Sequence, residues 1–214
     1  MKAYPSIPHS GAIDKKELCH VFVKYDGSNL RFEWSKKQGW YKFGTRKTMF
    51  DSSHPMYGVA IELFRQRYAD GLEHVFKTSK KFKNATNVIA FAEWFGAESF
   101  AGQHLPNDPK NIILFDINIH KKGLMSPREF LDDFGHLEVA ELLDKRVIDD
   151  EFIAQVRNGE FDCSSKFPIA NKVPEGVICK GSDGHDLWMC KIKTQKYHDE
   201  LKKVLGENWT KYWE

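Results

Sequence analysis

The chain has 214 residues, which is within the usual size of one domain and enough to bury a substantial core. Hydrophobic residues make up 41% of it and aromatic residues 14%, a globular composition that excludes a largely disordered chain or a repeat array. With 32 basic against 30 acidic side chains the net charge is only +2, so any surface that binds nucleic acid must be a local one.

The first predicted element lies in the stretch H-V-F-V-K-Y-D-G-S-N-L-R, residues 20–31. Its valines alternate with other side chains at the period of a strand buried on one face, so Lys24 is predicted at a strand end. Asp26-Gly27 is a turn signal and a second alternating strand follows. The pattern predicts a hairpin that holds one amine at the mouth of a sheet. Taken alone, K-x-D-G fits a surface lysine before a turn as well as a nucleophile.

The next elements alternate between strand and helix patterns. A strand ends near Arg46, and a helical cover with a break near Gly71 precedes two further strands. A capping box and an acidic pair then predict two short helices. In chain order the bounds are 57 to about 77 for the helical cover, Val88–Trp94 and Asn111–Ile117 for the strands, Ser126–Glu129 for the capping box, and Asp149 to Gly159 for the last helix.

A basic run follows the helical cover. It consists of Lys77, Lys80, Lys81 and Lys83, with Phe82 interleaved. Such a patch fits the track of a phosphate backbone. A solvated helix exit is the commoner explanation.

A second hairpin is predicted near the C-terminus, from Glu175–Lys180 and Leu187–Lys193. Lys191 and Lys193 fall on one face, about 6 to 7 Å apart along the strand, and two ammonium groups so close repel unless an anion lies over both. A phosphate would satisfy them, and an exposed strand is the alternative. A short helix from Tyr197 to Leu205 follows, with Trp209, Tyr212 and Trp213 packing at its end.

The cysteines and the N-terminus indicate the cellular compartment. The four cysteines, Cys19, Cys163, Cys179 and Cys190, show no C-x-x-C spacing, which argues against a zinc site and favours reduced, mostly buried thiols. The first ten residues lack a basic segment followed by an apolar run, and no window approaches the roughly eighteen apolar residues of a membrane span. We therefore expect a soluble cytoplasmic protein without a membrane partner.

Five motifs occur in one order: K-Y-D-G-S-N (24–29), F-A-E-W-F-G (91–96), I-L-F-D-I (113–117), E-G-V-I-C-K (175–180) and K-I-K (191–193). Together they resemble motifs I, III, IIIa, IV and V of the covalent nucleotidyltransferases, the superfamily of polynucleotide ligases and capping enzymes. The resemblance spans roughly residues 20–195. It implies an α+β fold with largely antiparallel sheets flanked by helices and the nucleotide site between them. It also implies one nucleotidyltransferase domain over 1–214, with a C-terminal helix from 195 to 214.

The resemblance further implies a chemistry. Lys24 would be the nucleophile that takes AMP from ATP as a phosphoramide, before AMP passes to a 5′-phosphate and a 3′-hydroxyl displaces it. Lys191 and Lys193 would attract the α-phosphate and, as nearby positive charges, disfavour the protonated form of Lys24. Mg²⁺ or Mn²⁺ would stabilise the pyrophosphate leaving group, with Glu175 as the protein ligand.

Other residues receive nucleotide-binding roles from the same resemblance. Glu93 would bind the ribose hydroxyls, and Phe115 would stack on the adenine, with core packing as its alternative. Val23, where some members have an acidic residue, leaves adenine recognition to backbone groups and apolar contacts. The residues expected to shape the turn or line the phosphate and sugar are Asp26, Gly27, Ser28, Asn29, Arg31 and Arg46.

The RNA-joining branch of the superfamily fits best. DNA ligases usually place an arginine two residues after the motif I glycine, where this chain has Asn29, and its arginine is Arg31. G-T-R-K around Arg46 resembles the basic segment that follows motif I in RNA ligases, and an arginine fork suits a phosphate or sugar edge. The alternative for Arg46 is a solvated strand-end side chain.

Only about twenty residues follow Lys193, too few for the five-stranded barrel that DNA ligases and capping enzymes generally append, so no OB-fold domain is expected. We therefore expect an ATP-dependent RNA ligase acting on 5′-phosphate and 3′-hydroxyl ends, with a partner protein adding grip on the substrate. The alternatives are a minimal ATP-dependent DNA ligase, another nucleic-acid nucleotidyltransferase, or a nucleotide-binding module without turnover.

Overall fold

The structure is a computed structural model that describes residues 2–13, 17–97, 105–167, 173–183 and 186–212. These residues form two compact units. The six-stranded unit takes the described residues of Met1–Pro5, Ser28–Phe95 and Pro109–Val139. The four-stranded unit takes those of Ser6–Gly27, Gly96–Asp108 and Ala140–Glu214.

The strands and helices follow in chain order. They are β1 (Leu18–Val23), β2 (Ser28–Ser35), β3 (Gly39–Thr45), β4 (Met49–Phe50), α1 (Gly58–Phe64), α2 (Asp70–Thr78), β5 (Asn87–Phe95), β6 (Asn111–Ile119), β7 (Gly123–Leu124), α3 (Pro127–Phe134), β8 (Leu142–Val147), α4 (Asp150–Asn158), β9 (Gly176–Asp183), β10 (Asp186–Lys193) and α5 (Gln195–Leu205). A π-helical segment, Arg65–Ala69, joins α1 to α2, and short 3₁₀ segments lie at Ser10–Ala12, Lys80–Phe82 and Gly206–Tyr212.

The four-stranded unit is an antiparallel sheet in the order β10-β9-β1-β8. One face is apolar because alternate residues of β1, β9 and β10, such as Val21, Val177 and Ile192, pack with Phe152 and Val156 of α4. The alternation places Lys180, Lys191 and Lys193 on the opposite face. All four cysteines are free and buried, as the sequence predicts.

The six-stranded unit is an antiparallel sheet in the order β4-β3-β2-β5-β6-β7. Its core face carries Leu30, Phe32 and Trp34 of β2, which pack with the aromatic residues of α1 and α2. The register pairs Asn29 with Glu93 on the other face, where the polar side chains of β2 lie. Apolar and polar side chains therefore alternate along the strand in this unit as well.

The prediction that β1 and β2 form a hairpin is wrong. β1 pairs with β8 and β9, whereas β2 pairs with β3 and β5, so the two strands belong to different sheets. The Asp26-Gly27 turn leads from one unit to the other, and the boundary lies between Gly27 and Ser28. The position of Lys24 directly after a strand is confirmed.

The helical cover is confirmed, but its predicted break is displaced. The irregular turns are Arg65–Ala69, and Gly71 lies inside α2. A Cβ at Gly71 would lie 2.9 Å from Leu137 Cδ2, so glycine is there for close packing. Within the irregular segment the Tyr68 hydroxyl donates to the backbone oxygen of Ile112 over 3.1 Å.

The predicted helix starts are confirmed. Ser126 and Glu129 form a reciprocal capping box at α3. Asp149 accepts the backbone N–H of Phe152 at α4, which ends at Gly159 with a left-handed φ of 76°.

The remaining predicted elements are the C-terminal helix and the loop before β6. The C-terminal helix is confirmed as α5, and Trp213 lies outside the described residues. Residues 98–104 of the predicted loop also lie outside them. No described helix combines the length and the apolar character needed to span a bilayer.

Candidate active site

Lys24 meets the C-terminal hairpin of the four-stranded unit through a shared carboxylate. The backbone N–H of Lys24 donates to the oxygen of Gly176 over 3.0 Å. Its Nζ lies 2.7 Å from Glu175 Oε1, and Lys193 Nζ lies 3.2 Å from the same oxygen. Because both bind one atom, the two ammonium nitrogens are at most about 6 Å apart. The side chains of Glu175 and Lys193 are only 4% and 3% exposed, against 20% for Lys24.

The local sequence explains why Glu175 and Lys193 meet. β9 and β10 pair Gly176 with Lys193, and a Cβ on Gly176 would lie 2.0 Å from the oxygen of Ile192. Its φ of 138° is also one that side chains rarely allow. Thr194 donates its backbone N–H to the oxygen of Glu175 over 3.0 Å, which fixes the strand ends together. The glycine of E-G-V is therefore what lets the carboxylate sit beside the lysine.

Asp26 adds a second carboxylate to this group. The pKa of Asp26 is raised to about 7, mainly by burial and then by the negative charge of Glu175, against the opposing effects of Lys24, Tyr197 and Lys193. The Tyr197 hydroxyl of α5 donates to Asp26 Oδ1 over 3.1 Å. Two carboxylates and two ammonium groups thus form one charged cluster.

Lys193 is held between these acids and α5. Burial lowers the pKa of Lys193, Glu175 opposes this shift, and the positive charge of Lys24 adds to it. Its ammonium lies 5.4 Å from the centroid of the Tyr197 ring. Tyr197 therefore contacts both a carboxylate and an ammonium group of the cluster, although no motif contains it. The cap at Thr194 was a usable signal, because it places Tyr197 in the first turn of α5.

Two further buried lysines share the face of Lys193. Lys191 pairs with Ile178, and Lys180 pairs with Met189, so both lie on the face predicted for Lys191 and Lys193. Lys191 is 7% exposed and Lys180 5% exposed. The backbone N–H of Lys191 donates to the oxygen of Pro8 over 2.9 Å, and the ammonium of Lys180 lies 5.3 Å from the Phe22 ring.

The six-stranded unit holds the other predicted residues. Phe115 lies at a register shift between β5 and β6, and it is half-buried. The Tyr4 ring meets it edge-on at 5.0 Å and meets Phe91 at 4.9 Å, and its hydroxyl donates to Asp116 Oδ2 over 2.8 Å. Tyr4 lies outside every motif and was not predicted from the sequence.

The surroundings of Tyr4 include two predicted residues. Burial raises the pKa of Tyr4 well above its usual value, and Asp116 adds to this shift. Arg46 opposes it and Glu93 supports it, so both charges lie within electrostatic range of the phenol. Arg46 and Glu93 are thus neighbours of the Phe115 ring cluster within this unit.

The structure divides the predicted site residues between the units. The four-stranded unit contains Val23, Lys24, Asp26, Gly27, Glu175, Lys191 and Lys193, and the six-stranded unit contains Ser28, Asn29, Arg31, Arg46, Glu93 and Phe115.

The acids of the cluster suit a divalent cation. Glu175 raises the pKa of Asp26 through charge, so the two carboxylates share one electrostatic field that a cation would relieve. Mg²⁺ prefers oxygen ligands and commonly takes only one or two from protein. Among the described residues no group of three or more histidine, cysteine, aspartate or glutamate side chains forms a metal site. Glu175 and Asp26 therefore offer the one or two carboxylates that such a cation commonly takes from protein.

The chain was compared with protein-family models, curated protein sequences and solved structures. No protein-family model matches the chain, and neither does any curated protein sequence. Solved structures do match. Naegleria gruberi RNA ligase with pyrophosphate superposes with a TM-score of 0.63 at 16% identity, over 94% of this chain and 58% of that one. A variant of the same ligase with ATP and Mn gives a TM-score of 0.64 at 17% identity, over 93% and 58%.

The chain spans somewhat more than half the length of the solved structures that it matches. At these identities the likeness establishes the fold, and it agrees with the resemblance that the five motifs carry. The chain has antiparallel sheets and helices arranged in the fold of an RNA ligase.

Proposed function

We propose that the protein is an ATP-dependent RNA ligase that joins 5′-phosphate and 3′-hydroxyl ends through a lysyl-AMP intermediate. The observation that carries the proposal is the shared contact of Lys24 and Lys193 with one buried carboxylate oxygen of Glu175. A surface lysine before a turn has no need of such a partner. The RNA ligase fold and the order of the five motifs support the same function.

Lys24 is the nucleophile in this proposal. Its Nζ forms a bond to the α-phosphorus while the bond to the pyrophosphate oxygen breaks, and the amine gives up a proton. Lys193 supplies positive charge for the phosphate, and its burial strengthens that interaction. Lys191, on the same strand face, adds a second positive charge. Glu175 and Asp26 would hold a Mg²⁺ or Mn²⁺ ion, which would supply further positive charge for the leaving pyrophosphate.

Nucleotide recognition falls to other residues. Glu93 keeps the ribose contact and Phe115 the adenine contact that the resemblance implies, and the half-buried ring of Phe115 is compatible with stacking. Arg46 and Arg31 are the proposed phosphate and sugar contacts. In this proposal Tyr4 supports Phe115 from its edge.

Intact mass spectrometry after incubation with ATP and magnesium tests the first step. The wild-type protein should gain the mass of one AMP, and Lys24→Ala should gain none. Lys166→Ala is the matched control, because Lys166 is an 89% exposed lysine of the same unit, and it should gain AMP normally. A wild-type protein that gains no AMP would contradict the proposal and favour a binding module without turnover.

Sealing assays test the substrate. We expect joining of nicked RNA with ATP, and weaker joining of a matched DNA nick or with GTP. Equal or better sealing of DNA would favour the minimal DNA ligase. Good self-adenylation combined with weak sealing would support a partner protein that adds grip on the RNA.

A further inference from the structure

A basic groove lies in the six-stranded unit, formed by two segments that are distant in sequence. Residues 35–38 and Tyr41 of the β2–β3 hairpin form one side, and residues 83–87 leading into β5 form the other. The groove is an open one with a volume of about 530 Å³. None of the motif residues lines it.

Three exposed lysines surround this basic groove. Lys36 and Lys37 lie in the hairpin turn and Lys83 lies on the opposite side, and none of the described residues that line the groove is acidic. The ammonium of Lys36 donates to the backbone oxygen of Lys83 over 2.5 Å, which ties the two sides together. In the part of the chain that the structure describes, none of the three lysines forms a salt bridge. Their charges are available to an anion.

Two other lysines of the basic run differ from Lys83. Lys77 pairs with Glu73, and Lys81 Nζ lies 2.9 Å from Asp133 Oδ2. These two pairs explain half of the run as a helix exit neutralised by neighbouring acids. Lys83 instead joins the hairpin lysines, so the structure separates two explanations that the sequence leaves together.

The floor of the groove is fixed by a buried acid. The Tyr41 hydroxyl donates to Glu33 Oε1 over 3.0 Å, and Asn87 Nδ2 donates to the same oxygen over 2.8 Å. Asn87 Nδ2 also lies 2.7 Å from the Tyr41 hydroxyl. Glu33 is 7% exposed, so its carboxylate orients Tyr41 and Asn87 from beneath. The polar floor is thus ordered before any ligand arrives.

We infer that this basic groove binds phosphates of the RNA backbone, as a contact separate from the lysine that takes AMP. The inference rests on the proposed function. Lysines are point charges, and several of them around a groove with an aromatic side chain favour a polyanionic strand. Phosphate contacts fix a strand in place without reading its bases. The groove would therefore add affinity for RNA of any sequence.

A charge-neutralising variant tests this inference. The groove variant Lys36→Gln/Lys37→Gln/Lys83→Gln is compared with Lys121→Gln/Lys145→Gln/Lys166→Gln, which removes three exposed lysines elsewhere. Affinity for a 5′-phosphorylated single-stranded RNA oligonucleotide is measured by fluorescence anisotropy at several salt concentrations. We expect the groove variant to lose about 10-fold to 100-fold in affinity near 0.1 M salt, and its salt slope to fall by about 2. The control should stay within about 2-fold of wild type.

Self-adenylation separates this inference from the proposed function. The groove variant should gain AMP as wild type does, because the groove contains none of the residues of the Lys24 cluster. Loss of AMP gain in the groove variant, or RNA affinity and salt slope equal to those of wild type, would overturn the inference. Failure of the wild-type protein to gain AMP would instead overturn the proposed function. Two single variants provide a second test that changes the groove at only one position. Lys37→Glu, which reverses the charge, should weaken RNA binding more than Lys37→Gln, which only removes it.

Discussion

Glu175 and Lys193, which form a buried contact, should be strongly coupled in their contributions to the free energy of unfolding. Replacing Glu175 with Gln removes the carboxylate that contacts both Lys24 and Lys193. The two ammonium groups then remain at most about 6 Å apart, where their repulsion is about 3 kcal/mol at an effective dielectric constant of about 20. Replacing Lys193 with Met in the same chain removes that repulsion.

The expected magnitude follows from distance and burial. At 3.2 Å, an ion pair in a medium of dielectric constant about 20 gains about 5 kcal/mol before desolvation and side-chain entropy are subtracted. Because the pair is almost fully buried, we expect a net coupling free energy of about 2 to 4 kcal/mol between Glu175 and Lys193. The double variant should therefore be destabilised by less than the sum of the effects of Glu175→Gln and Lys193→Met.

A double-mutant cycle measures this coupling. Urea unfolding near pH 7 is recorded for wild type, Glu175→Gln, Lys193→Met and the double variant. Glu141 and Lys166 provide a matched control, because their charged atoms also lie 3.2 Å apart but Lys166 is 89% exposed. The same cycle on this surface pair should give less than about 1 kcal/mol.

A coupling in the buried pair no larger than in the surface pair would refute this reasoning. Lys193 would then be uncharged or mispositioned in the folded protein, and the electrostatic role of Lys193 in the proposed function would lose its support. The same conclusion would follow if the effects of the two substitutions on the free energy of unfolding were additive and the variants gained AMP normally.

Three other predictions concern α5 and β9. His198 has its pKa lowered to about 4 by burial, with Lys193, His9 and Lys202 adding to the shift and Glu175 opposing it. Its neutral form therefore stabilises the fold fully above about pH 6.5 and progressively less as the pH falls towards 4, and His198→Gln should flatten that decline in urea midpoints. Tyr197→Phe keeps the ring beside Lys193 but loses the hydrogen bond to Asp26, so AMP gain should slow about 10-fold while stability changes by about 1 kcal/mol. Gly176→Ala should lower stability by about 2 to 4 kcal/mol in thermal melts, because its Cβ would overlap the backbone of Ile192, whereas Gly11→Ala, with open space around it, should not.

The strands were predictable because their signal is local. Alternation over a few residues identifies β1, β5, β6 and the β9–β10 hairpin. The turn predicted at residues 181–184 is displaced, because β9 continues to Asp183, and residues 184–185 lie outside the described residues. The pairing of β1 was not predictable. Its partner β8 has the sequence L-L-D-K-R-V, and its side chains are half-buried or exposed, so it carries no clear strand pattern. A turn signal such as Asp26-Gly27 indicates a reversal but not the sheet in which the next strand lies.

The site was predictable in its residues but not in its contacts. The five motifs named Lys24, Glu175 and Lys193, whereas the sharing of one oxygen by two ammonium groups depends on the register of β9 with β10 and β1. Tyr197 and Tyr4 were missed because their roles depend on where a helix and an N-terminal segment pack. The cap at Thr194 places Tyr197 in the first turn of α5 but does not show what its ring contacts, and Tyr4 has no sequence pattern that distinguishes it from an ordinary core tyrosine.

The charge balance of the Lys24 cluster gives Glu175 a second role in the proposed function. Two ammonium groups drawn to within about 6 Å of each other need an anion between them, and in this structure Glu175 Oε1 is that anion. A phosphate that approaches Lys24 and Lys193 therefore competes with Glu175 for the same positive charge. As the carboxylate is displaced, it becomes available to a divalent cation that accompanies the phosphates. The same residue would thus hold the lysines in register before the nucleotide binds and hold the metal afterwards, which accounts for a glutamate preceding the glycine that fits it against β10.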